Sequence, residues 1–287
     1  MFLEQWQHLR VARLQRDAVM RNPFTKSKLL SEEDEYFQIE CFRWLLKHFG
    51  GDAFYKESVF ALPTSEYFPQ TVDSKESAAE ATFRQVLKYA GMEAWPVELV
   101  EQKKDQNQLA GENPLDQHPG QAPGSESPGN ENPKLKLLYR SEIASDPLKM
   151  VATFAHTVSR YLTADAPEPP PGGWENREFA TDIAATFIGF GVFQANSAVT
   201  MHRNCCGGWR SSRAGYLTEA EHSYALALYL RLKSIEPSVA LPHCGRNVTS
   251  NLKKALKELD SSDVVDDLRA VDFVQPVSQR NSVARYV

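Results

Sequence analysis

Four residues stand at spacings that suit joint chemistry. His156 and Arg160 lie four apart, and so do Glu178 and Asp182. On a helix, a separation of four places two side chains on one face, a turn from each other. An imidazole and carboxylates are able to bind a divalent metal. A guanidinium beside the same carboxylates acts differently. It pairs with them as a permanent cation and offers no lone pair to a metal. The four residues therefore point to a metal site or to an ionic cluster without a metal.

Both pairs fall in helical patterns. Asp146 and Pro147 suit the N-cap and first position of a helix over 146–163, with an apolar stripe of Leu148, Val151, Ala155, Val158 and Leu162. At about 100° per residue, His156 stands to the side of that stripe and Arg160 nearly opposite it. Read alone, this helix puts both on a solvated face. The next segment, "WENREFATDIAATFIGFGVFQANS", is apolar almost all round after its first turn, so one buried helix is expected over 175–198. Glu178 and Asp182 share a face there with Ala185 and Gly189, small residues that let another helix approach. A buried carboxylate needs a cation or hydrogen-bond donors, and the helix preceding it offers His156 and Arg160 at matching spacing.

Around this pair the chain reads as α+β, mainly helical with a small sheet beside the His156 helix. Ser31 caps a helix in "SEEDEYFQIECFRWLLKHFGG", with acidic residues at its start, Lys47 and His48 at its end, and Gly50-Gly51 to stop it. Further helices are expected over 1–20, 74–89, 218–234 and 248–260, and strands over 55–63, 95–102 and 134–143. Residues 103–133 hold five prolines and four glycines, with Leu109 and Leu115 as the only large apolar residues. Such a segment cannot offset the entropy of ordering it and reads as a disordered polar insertion. The organisation expected is an N-terminal helical and strand part (1–102), the insertion (103–133), a helical core (134–262) and a weakly structured tail (263–287) where Val271, Phe273 and Val274 can dock.

Composition narrows the function classes. The chain has 287 residues, 42% hydrophobic and 24% charged, with a net charge of -5, the balance of an ordinary folded protein and no electrostatic invitation to nucleic acid or an anionic membrane. No basic-then-apolar leader opens the sequence, and four cysteines (Cys41, Cys205, Cys206, Cys244) do not form a disulfide framework, so a cytoplasmic setting is expected. The apolar run Ile183–Val199 contains Gln194 and Asn196 and is short for a membrane span. His202, Cys205, Cys206, His243 and Cys244 are chemically able to hold zinc, but no paired C-x-x-C anchors them. "YLTEAEHSYALALYL" (216–230) reads as core packing.

The order of motifs resembles the thermolysin-like zincin metallopeptidases, in which a His-Glu-x-x-His helix is followed by a Glu-x-x-x-Asp helix. The second pattern is intact as Glu178-Phe179-Ala180-Thr181-Asp182, eighteen residues after position 160. Ala155-His156, the Phe187–Gly191 run, Gly215-Tyr216-Leu217 and Tyr224–Leu228 also resemble stretches of uncharacterised bacterial zincin-like proteins, over roughly residues 134–234. The resemblance implies His156 and Glu178 as zinc ligands and Asp182 as orienter of His156.

The departures fall on the chemistry. Thr157 stands where the zincin base would be and cannot take a proton near neutral pH as glutamate does. Arg160 stands where the second histidine would be. The expectation is a zincin-like pseudoenzyme, without metal, serving as a binding or structural protein for an unidentified protein partner. The alternative is a metal-dependent hydrolase rebuilt on His156, Glu178 and a further ligand such as His202.

Overall fold

Ser31 does cap the first helix: its hydroxyl accepts from the Asp34 amide at 3.1 Å, and α1 runs Glu32–Phe49 until Gly50 closes it. The computed structural model describes residues 28–69, 77–95, 97–102, 135–140, 143, 145–203, 209–213 and 216–274. The expected helix over 1–20 and the 103–133 segment lie outside these residues.

The strand expected over 55–63 does not form. Ala53–Glu57 is instead a wide helical turn, after which residues 58–62 run on outside any strand. The reason lies far along the chain. Lys233 Nζ donates to the carbonyls of Phe54 (2.6 Å), Tyr55 (3.0 Å) and Ser58 (3.3 Å), so a distant lysine supplies the donors that the end of a helical turn lacks.

Helix α2 (Ala78–Tyr89) opens on a reciprocal capping box between Ser77 and Glu80. Strand β1 (Val97–Gln102) runs parallel to β2 (Leu135–Arg140). Leu137 enters the core, and the Tyr139 ring meets Phe154 edge-on. Two short paired strands do not establish the sheet expected beside the His156 helix; the described chain is mostly helical.

Helix α3 (Pro147–Ala164) carries the Asp146 cap and Pro147 as expected. Its buried arc is wider than the apolar stripe suggested. Met150, Ala152, Phe154, His156, Ser159 and Thr163 are buried with Val151, Ala155 and Val158, while Leu148 is exposed.

The single helix expected over 175–198 is broken. It comprises α4 (Arg177–Ala185), a wide turn over Thr186–Phe190, and α5 (Gly191–Ser197). The break sits at Gly189, whose φ of 102° is open to glycine at little cost. The extended segment after α1 crosses here, the Ala61 amide donating to the Gly189 carbonyl at 3.1 Å. A Cβ at Gly189 would collide with the Val59 carbonyl. The small residue admits that crossing strand of chain, not a helix as the sequence suggested.

Strands β3 (Val199–Arg203) and β4 (Trp209–Arg213) pair antiparallel. Helix α6 (Glu219–Leu232) forms the centre of the molecule. Every residue from Tyr224 to Leu230 is buried, as the core reading of that stretch required. A short α7 (Pro237–Ala240) leads to α8 (Arg246–Leu259), which buries Val248, Leu252, Ala255, Leu256 and Leu259. The tail is more ordered than expected: Val264–Arg269 forms α9, Leu268 is buried, and the Val274 amide donates to the Lys47 carbonyl at 2.9 Å. Among the described residues no helix is long and apolar enough to cross a membrane.

Candidate functional site

Helices α3 and α4 lie against each other and bring the four sequence-marked residues together. Asp182 is the centre. His156 Nδ1 lies 2.7 Å from Asp182 Oδ1, and both side chains are buried. Asp182 Oδ2 accepts from the backbone amides of Tyr216 (2.6 Å) and Leu217 (2.9 Å), immediately before the Thr218 cap of α6. One carboxylate thus ties α3, α4 and the entry to α6. Glu178, one turn earlier, pairs with Arg160: Nη2 to Oε1 is 3.0 Å, at 14% and 20% side-chain exposure. The solvated face expected for His156 and Arg160 is therefore mostly closed. Beside them, Arg177 Nη2 donates to the Arg160 carbonyl at 3.1 Å.

The electrostatics follow from this packing. Burial alone would raise the Asp182 pKa. The hydrogen bond and charge of His156, the nearby His222 and the Leu217 amide outweigh it, and the carboxyl is held below its ordinary range. Thr157 donates its hydroxyl to the Thr153 carbonyl of its own helix at 2.9 Å.

His222 belongs to this site although its sequence context gave no sign of it. It sits on α6, wholly buried, with Nε2 3.9 Å from Asp182 Oδ2. Neither ring nitrogen has a hydrogen-bond partner among the described residues. Burial drives its pKa down, against the opposing charges of Asp182 and Glu221. "AEHSYALAL" reads as packing because a histidine amid apolar residues has no spacing partner in sequence. Only the meeting of α6 with α4 reveals it.

Of the rival metal residues, only some are described. Residues 204–208, with Cys205 and Cys206, lie outside the described residues, as does the His202 side chain. Cys244 Sγ donates to the Ala240 carbonyl at 3.3 Å, and burial pushes its thiol up to about 11. The His243 carbonyl accepts from Asn196 Nδ2 at 2.8 Å.

Zinc can be tested against the geometry. His156 Nε2 and Glu178 Oε2 converge to 3.9 Å. Two ligands about 2.05 Å from a tetrahedral ion lie only about 3.3 Å apart. The observed gap is too wide, and the Arg160 cation occupies the same carboxylate. Among the described residues no three His, Cys, Asp or Glu side chains converge on a point that could hold a metal. The described residues do not fit a zinc centre.

Comparison of the chain with protein-family models, with curated proteins and with solved structures gives no match. The reading of the site therefore rests on its own geometry.

Proposed function

We propose that the chain is a zincin-like pseudoenzyme whose former metal position is held by a metal-free ionic cluster, and that it acts as a binding or structural protein. One observation carries this reading: Arg160 Nη2 stands 3.0 Å from Glu178 Oε1 while His156 stays on Asp182. In a zinc peptidase the Glu would bind the ion and the His would present its free nitrogen to it. Here the guanidinium supplies the positive charge for Glu178, and Asp182 still fixes the imidazole. Without a base at position 157 and without a third ligand, water has neither activation nor a proton acceptor. The paired strands 97–102 and 135–140 take the place of the small sheet in this reading. The setting is bacterial and cytoplasmic, and the ligand is a protein partner, not nucleic acid or membrane.

Elemental analysis of the purified full chain tests the proposal. Zinc well below one atom per chain is expected. About one zinc per chain, lost on His156→Ala or Glu178→Ala, would overturn it in favour of a rebuilt hydrolase. That second reading draws on the convergence of His156 Nε2 and Glu178 Oε2, and it needs a further ligand such as His202.

A further inference from the structure

His156 Nε2 and Glu178 Oε2 face each other at 3.9 Å, and neither atom has a hydrogen-bond partner among the described residues. Both are closed off from solvent, and the His156 side chain is only 5% exposed. Their other polar atoms are committed: His156 Nδ1 to Asp182, and Glu178 Oε1 to Arg160. Buried polar atoms of native proteins are nearly always paired with protein or with ordered water. At 3.9 Å the two cannot bond directly, since such bonds are about 2.7–3.2 Å long.

We infer that one internal water molecule bridges His156 Nε2 and Glu178 Oε2, completing a chain of hydrogen bonds from Arg160 through Glu178, water and His156 to Asp182. Two bonds of about 2.8 Å span the gap when they meet at about 90°, which a water can provide. A zinc ion would need its two bonds of about 2.05 Å to open to about 144°, far from tetrahedral. The inference holds in either state of the imidazole. A neutral His156 that donates through Nδ1 leaves two acceptors facing each other, and a water donates one hydrogen to each. An imidazolium donates from Nε2 to the water, which then donates to Glu178. With two protein partners the site meets the minimum for a buried water.

This water stands near the position a metal would take, yet it is structural. The Thr157 hydroxyl is turned onto its own helix and takes no part in holding it. The inference rests on the metal-free reading of the cluster, and the experiment separates the two.

Crystals of the full chain as purified, grown without chelator and diffracting to high resolution, test it directly. The expected result is a single peak within about 2.6–3.1 Å of both atoms, with the scattering of a water and no anomalous signal at the zinc edge. A direct His156–Glu178 hydrogen bond, or no peak between them, overturns the bridging water and leaves the pseudoenzyme reading intact. A peak with zinc anomalous signal overturns both. In solution, the His156 ring should show a nuclear Overhauser contact to a long-lived water, and its absence counts against the bridge.

Discussion

Replacing Arg160 by methionine keeps most of the side chain's apolar bulk and removes its charge. The perturbation leaves Glu178 with 20% side-chain exposure and without its guanidinium partner. Breaking a fully buried pair costs about 3–5 kcal/mol, and an exposed pair is worth about 0–1 kcal/mol. This pair is mostly closed but not sealed, so the expected loss is about 2–3 kcal/mol. For a domain of this size, where each kcal/mol moves the midpoint by about 2–4 °C, that corresponds to about 5–10 °C. The comparison that isolates the pair is a double-mutant cycle with Glu178→Gln, read by urea denaturation at pH 7.5. Arg160→Met/Glu178→Gln should be more stable than Arg160→Met alone by at least about 1 kcal/mol, because the second change removes the stranded carboxylate. Added salt should change these differences little, since buried charges are weakly screened. If Arg160→Met falls within about 0.5 kcal/mol of wild type, or if the double variant is the least stable of the set, the guanidinium is not the cation on which Glu178 depends.

Three further outcomes follow from the same packing. His222 is buried with a lowered pKa and Asp182 is held low, so folded protein binds fewer protons than unfolded protein. Stability should be full above about pH 6.5 and fall as pH drops below it, at up to about 1.4 kcal/mol per pH unit per proton. His48 has the same sign, so the His222 share is the part of the pH 7 to pH 5 slope lost in His222→Phe; an unchanged slope refutes it. Gly189→Ala places a Cβ against the Val59 carbonyl at a φ of 102° and should cost at least about 2 kcal/mol; a chemical-denaturation midpoint equal to wild type would refute the close crossing. Lys233→Met removes the donor to three carbonyls and should cost about 1–3 kcal/mol, with faster hydrogen exchange confined first to the 53–58 turn; unchanged exchange there would refute the cap.

Local signals carried far into this fold. Ser31 and Asp146 start helices as read, because each offers an oxygen to a free amide three residues on, and Ser77 and Thr218, not singled out as caps, do the same. That relation is written within four residues. The failures are non-local. Residues 53–57 curl into a turn because Lys233 reaches them, and the 175–198 helix breaks because residues 59–61 cross at Gly189. His156 and Arg160 looked solvated because α3 was read against one apolar stripe, whereas it packs on several elements. The spacing of two pairs of four set α3 and α4 face to face, and the resemblance pointed to the His156–Asp182 contact, which stands at 2.7 Å, but neither held a trace of His222.

The charge inventory explains why such a cluster can stand without an ion. A metal site with these residues would balance a divalent cation against two carboxylates. In this molecule each carboxylate has its own solution. Glu178 has Arg160 at 3.0 Å. Asp182 has two amides at the entry to α6 and the Nδ1 of His156, and amides before a helix favour an anion through aligned peptide dipoles as well as through hydrogen bonds. Adding a divalent ion would place two further positive charges beside Arg160, in a space where His156 and Glu178 stand too far apart to grip it. Removing the ion from an ordinary zinc site strands its ligands. Of the two would-be ligands, His156 Nε2 and Glu178 Oε2 are left over among the described residues, and the proposed water serves both.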